Sequence, residues 1–175
     1  MTHQSIEDIS VMRSIPNMTI LETGDATEVE SICAAADSID GPVWCRVLRG
    51  AVPRLFDTPI KVGEMRELST GDDILIVTSG ICTEEAMRAR AAFARAGLSI
   101  RHLHLHTIKP FDARALLDHI GSVKHGVITL ENHVTEGGVG SLVAETMADA
   151  GVGKRLIRLG LKDTYAHGGS RAYLM

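Results

Sequence analysis

The chain has 175 residues, a length that fits one ordinary domain or one domain with part of another. Hydrophobic residues make up 45% of it and charged residues 23%, close to globular averages, which excludes a disordered or fibrous chain. A net charge of −4 with three Phe, two Tyr and one Trp gives no basic stripe or stacking platform, so no nucleic-acid partner is expected.

In chain order, Ser5 to Ser14 carries Ile6, Ile9, Val11 and Met12 at roughly helical spacing and stops at the Ile15-Pro16-Asn17 breaker. Met18 to Leu21 reads as a strand, and Asp25 followed three residues later by Glu28 starts a helix running to about Ser38. Gly41-Pro42 breaks the chain before a second strand, Val43 to Leu48. Residues 1–50 are therefore too short for a domain and fit the later part of a βα sheet. Residues 51–72 hold Pro53, Pro59 and Gly63 and read as a linker, with a short edge strand or hairpin in Ile60 to Leu68.

From Asp73 the pattern becomes regular. Strands are expected at Ile74 to Val77, Ile100 to Ile108, Gly126 to Leu130 and Leu156 to Leu159. Helices are expected at Thr83 to Ala96, Ala113 to Ile120 with Asp112 as N-cap, and Ser141 to Ala150. Alternating strands and helices over residues 73–175 predict an α/β domain, doubly wound around a mostly parallel sheet. No apolar run approaches the roughly 20 residues of a membrane helix, and the start lacks the order of a signal peptide. Cys33, Cys45 and Cys82, odd in number and widely spaced, fit reduced thiols. The expectation is a soluble, cytoplasmic protein with no membrane partner.

Several groups could carry chemistry. His3, in Thr2-His3-Gln4 before the first helix, is either a solvated residue near the terminus or a proton carrier. Arg49, followed by Gly50, sits where a strand exits, the place at which open α/β sheets bind ligands, and its guanidinium suits a phosphate; a plain surface role is the alternative. Arg46 reads as structural. The run from Glu131 to Ser141 lies between a strand and a helix, but it has no lysine, and Glu131 and Glu136 would repel a phosphate. It reads as a tight turn whose glycines permit a close contact. His102, His104 and His106 alternate along one predicted strand. At about 7 Å between alternate side chains they suit buried hydrogen bonding better than a shared metal, and no metal ligand is assigned. His167 reads as a surface or interface residue.

Thr2 to Asp8, Arg13 to Met18, Asp25 to Val29 and Gly41-Pro42-Val43, with Arg46 and Arg49, follow one another as in the later part of the pyrimidine-binding domain of transketolases. Thr78-Ser79-Gly80, Lys109 to Asp112, Thr129 to Asn132, Gly137 to Ser141 and Leu159 to Asp163 resemble that family's C-terminal domain. The resemblance covers nearly the whole chain. It implies a partial α/β pyrimidine-binding domain in residues 1–50 and a C-terminal domain in 73–175 that packs in the dimer. It also implies two-carbon ketol transfer between phosphorylated sugars, with thiamine diphosphate and magnesium in the complete enzyme. His3 then matches a histidine contacting the substrate, and Arg49 an arginine binding its phosphate.

The diphosphate domain and the glutamate that activates the cofactor have no counterpart here. No residue of this chain is therefore assigned to the cofactor, none is expected to bind to the chain alone, and the isolated chain is expected to be inactive. Met1 before Thr2-His3-Gln4 reads as a start inside a domain. The expected partners are further copies of the chain, a separate chain carrying the diphosphate-binding domain, or both; the short sheet of residues 5–49 should otherwise expose edges and oligomerise or disorder. 1-Deoxyxylulose-5-phosphate synthase, the β chain of a 2-oxo acid dehydrogenase, a non-catalytic assembly module and a nucleotide-binding domain are the alternatives.

Overall fold

A computed structural model describes residues 5–165. The first helix, α1 (Asp8–Arg13), is followed by Asn17 in the left-handed conformation, φ 58°, which asparagine tolerates better than most residues and which turns the chain into β1 (Thr19–Glu22). Asp25 is fully buried and caps α2 (Ala26–Asp37), its Oδ1 accepting from Glu28 N at 2.8 Å. The second carboxyl oxygen of Asp25 accepts from Leu55 N and Phe56 N, both at 2.9 Å. After β2 (Val43–Arg46), the segment read as a linker is thus tied along α2, with Phe56 and Ile60 buried, and leads into β3 (Arg66–Ser69).

The larger sheet continues with β4 (Ile74–Thr78), α3 (Cys82–Arg95) and β5 (Ile100–His104). It is completed by α4 (Ala113–Ser122), capped by Asp112, β7 (Gly126–Val134), α5 (Val139–Asp149) and β8 (Leu156–Leu161). Its strand order is β3-β5-β4-β7-β8, parallel except for β3. One face packs Ile76, Ile100 and Ala86 of α3; the other packs Leu75, Val77 and Val127 against Leu116 and Ile120 of α4 and Val143 of α5. Helices thus cover both faces of a mixed, mainly parallel sheet.

The predicted strand Ile100 to Ile108 is two strands. After His104 the chain leaves the larger sheet, and β6 (Thr107–Lys109) pairs antiparallel with β1 in a second sheet of order β2-β1-β6. The His106 carbonyl accepts from Glu22 N at 2.9 Å, while Leu105 N donates to Thr78 O at 2.8 Å. The apolar-polar alternation slips by one residue there, at the adjacent polar pair His106-Thr107, a break that the single strand expected over Ile100 to Ile108 passed over. Residues 5–50 supply β1 and β2 of this second sheet, and β6 covers one edge of β1, so that among the described residues β2 and β6 are its outer strands. Ile9, Ile20 and Ile108 belong to the same buried cluster as Leu75, Leu103 and Val127, so one core serves both sheets.

Candidate functional site

The carboxyl ends of β1, β2, β7 and β8 meet the start of α3 around a cleft of about 870 Å³. Such a position, outside the strand ends of an α/β sheet, is where this architecture places ligands. Glu22 and Arg46 end their strands directly opposite one another in the parallel β1–β2 register. Their side chains form an ion pair, and Arg46 Nε also donates to both oxygens of Asp8 at 3.1 Å. The remaining guanidinium nitrogen reaches the carbonyls of Asn132 at 2.7 Å and Ser5 at 3.0 Å, and Trp44 Nε1 donates to Asp8 at 3.1 Å. Burial would lower the Arg46 pKa, but the Glu22 and Asp8 carboxyls hold it above the ordinary value. Arg46 is therefore a structural clamp between the N-terminal segment, the smaller sheet and β7.

Arg49 lies just beyond β2 and lines the cleft, as do Arg158 and Lys162 from β8 and the residue that follows it. His3 and His167 lie outside the described residues. The strand-to-helix turn before α5 is filled from within. Glu131 accepts from Val139 N at 2.6 Å and from Gly140 N at 2.8 Å, so the amides that could cradle a phosphate are already taken. Burial, with Glu22 nearby, pushes the Glu131 carboxyl up to about 7 against the pull of those two amides. Gly137, at φ +75°, lets the turn approach α1 so closely that a Cβ there would overlap Ser10. The Gly137 carbonyl accepts from Arg13 at 2.8 Å, fixing α1 to the turn.

Thiamine diphosphate with magnesium does not fit the described residues by themselves. Among them no three His, Cys, Asp or Glu side chains are grouped to hold a metal ion, and the one glycine-rich strand-to-helix turn is occupied by Glu131.

The three alternating histidines are buried, but they join the interior rather than the cleft. His104 bonds Glu28 at 2.9 Å through Nε2 and Thr83 at 2.7 Å through Nδ1; Thr83 meets Thr78 at 2.9 Å, and Thr78 meets His102 at 2.9 Å. Burial alone would raise the Glu28 pKa, yet His104 and the Gly24 amide hold it below the usual value. His102 and His106 are each held near 4 by burial. This chain of contacts ties α2 to the larger sheet.

Sequence reasoning placed Arg49 beside the cleft and missed Asp8, Glu22 and Asn132. Their signal lies in strand register: Glu22 and Arg46 become neighbours only when Thr19 is aligned with Val43.

A family model described as the C-terminal domain of transketolase matches residues 63–175. A transketolase family protein of Sinorhizobium fredii is 35% identical over 97% of this chain and 50% of its own length. A 6-deoxy-6-sulfo-D-fructose transketolase subunit of a Clostridium species is 35% identical over 99% of this chain and 54% of its own. A solved split-gene transketolase, described as an inactive beta4 tetramer, superposes with a TM-score of 0.88 at 32% identity, over 94% of this chain and 55% of that one. The chain spans about half the length of these relatives. With the helix-covered, mainly parallel sheet of residues 66–161, these matches show that the chain belongs to the transketolase C-terminal domain family.

Proposed function

We propose that this chain is one part of a split ketol-transferring enzyme and contributes one wall of a shared active site, with a separate chain supplying the remainder. The observation that carries this reading is the cleft at the strand ends of both sheets, with Arg49 on its lining, in a chain that matches half of transketolase-family proteins along nearly its whole length. In this reading Arg49 pairs with the phosphate of a sugar phosphate, a geometry for which a guanidinium is suited. In the same reading His3 donates or accepts a proton at a substrate hydroxyl. Thiamine diphosphate, bound with magnesium mainly by the partner, supplies carbanion chemistry. The larger sheet supports the assembly.

The test is ketol transfer from xylulose 5-phosphate to ribose 5-phosphate with thiamine diphosphate and magnesium. It is run on the chain alone and with a purified partner that carries the diphosphate domain. Activity only in the mixture is expected, with Arg49→Ala raising the KM for the phosphorylated substrate about tenfold or more. Activity of the chain alone would refute the shared site. Turnover of pyruvate with glyceraldehyde 3-phosphate, in place of ketol transfer, would assign the synthase chemistry instead.

A further inference from the structure

The floor of the cleft holds two polar groups that the fold leaves unused. Among the described residues six buried side-chain atoms lack a hydrogen-bond partner, and of these only Glu22 Oε2 and Thr23 Oγ1 belong to residues that line the cleft. Glu22 is 3% exposed and Thr23 2%. Buried polar atoms without partners oppose folding, and natural proteins keep few of them. The other oxygen of Glu22 is held by Arg46, which fixes the side chain in place. Around these groups stand apolar residues, among them Leu48 and Leu161, and the cationic side chains of Arg49 and Lys162. The lining therefore combines an anion-attracting part, an apolar part and a polar part with spare hydrogen-bonding capacity.

We propose that Glu22 and Thr23 are specificity residues, which bond the hydroxyl groups of a polyhydroxylated phosphate whose anionic end is held at Arg49. The proposal rests on the phosphate role given to Arg49 above. A ligand without hydroxyls leaves both groups unpaired, and a site with buried groups left unpaired rejects such a ligand. The cleft thus separates sugar phosphates from bare phosphate at residues remote from the phosphate itself.

Titration calorimetry on the chain assembled with its purified partner, with ribose 5-phosphate and with inorganic phosphate at constant ionic strength, tests this directly. Thr23→Val is the decisive variant, because it removes a hydroxyl that bonds nothing in the folded chain while keeping the side-chain shape. The wild-type chain is expected to bind ribose 5-phosphate more tightly than phosphate. Thr23→Val should weaken ribose 5-phosphate binding about three- to tenfold and leave phosphate binding unchanged. Glu22→Gln should reduce the same preference. Equal affinity for both ligands, or wild-type behaviour of Thr23→Val, overturns the inference; the role of Arg49 then survives if Arg49→Ala still weakens phosphate binding. A preference that depends on Thr23 but not on Arg49 keeps the floor and removes the phosphate role. No binding of either ligand overturns both.

Discussion

The imidazoles of His102 and His106 and the carboxyl of Glu131 pull the pH dependence of stability in opposite directions. Burial holds both imidazoles near 4, against 6.5 for a free one, so unfolding lets each take up a proton between those values. Their contribution is present above pH 6.5 and is lost as the pH falls. Glu131, near 7 in the folded chain against 4.5 when free, keeps a proton that unfolding releases. Its contribution is present below pH 4.5 and is lost as the pH rises through 7. Between about pH 4.5 and 6.5 two groups oppose one, so stability should climb with pH by the equivalent of about one proton and then level or fall slightly. Urea midpoints measured from pH 4.5 to 7.5 check this, and a steady decline across the lower window would contradict it. The alternation of the three histidines was legible in the sequence. Their partners were not, because Glu28 is 76 residues from His104 and Thr83 is 21.

At the scale of elements, capping was the most readable signal, since Asp25 and Asp112 each accept from an amide only three residues along the chain. The break between β5 and β6 left only a one-residue slip in the alternation, at His106-Thr107, which is too short a signal to separate two strands from one. The turn between β7 and α5 was correctly read as a close contact rather than a phosphate loop, from its two glutamates, although its neighbour α1 could not be named. Gly137→Ala is the sharpest probe of that contact: it places a Cβ against Ser10 at a backbone angle that alanine resists. A loss of about 1–3 kcal/mol is expected from the overlap, with more from the backbone, measured by chemical denaturation. A loss below a few tenths would mean that α1 is only loosely seated.

For the whole molecule, the two sheets should melt together. β6 hydrogen-bonds to β1, Arg46 bridges α1 and β7, His104 joins α2 to β5, and one hydrophobic cluster crosses the seam. Circular dichroism and tryptophan fluorescence, the latter reporting on Trp44 in the smaller sheet, are expected to give one coincident transition. Two separated transitions would show that the seam is weak. The fold class could be seen in the order of elements along the chain, whereas the seam depends on contacts between residues up to 132 apart, which no local pattern encodes.

The switch of strand β6 between sheets also sets an order in time. During synthesis β1 and β2 leave the ribosome long before residue 107, so the pair must wait for the strand that closes its second edge. At about 5–20 residues per second that delay is several seconds, during which the nascent chain is open to wrong pairings and to chaperones. The last stretch to reach the smaller sheet thus comes from the middle of the larger one, so the smaller sheet can close while β7 and β8 of the larger one are still to be made.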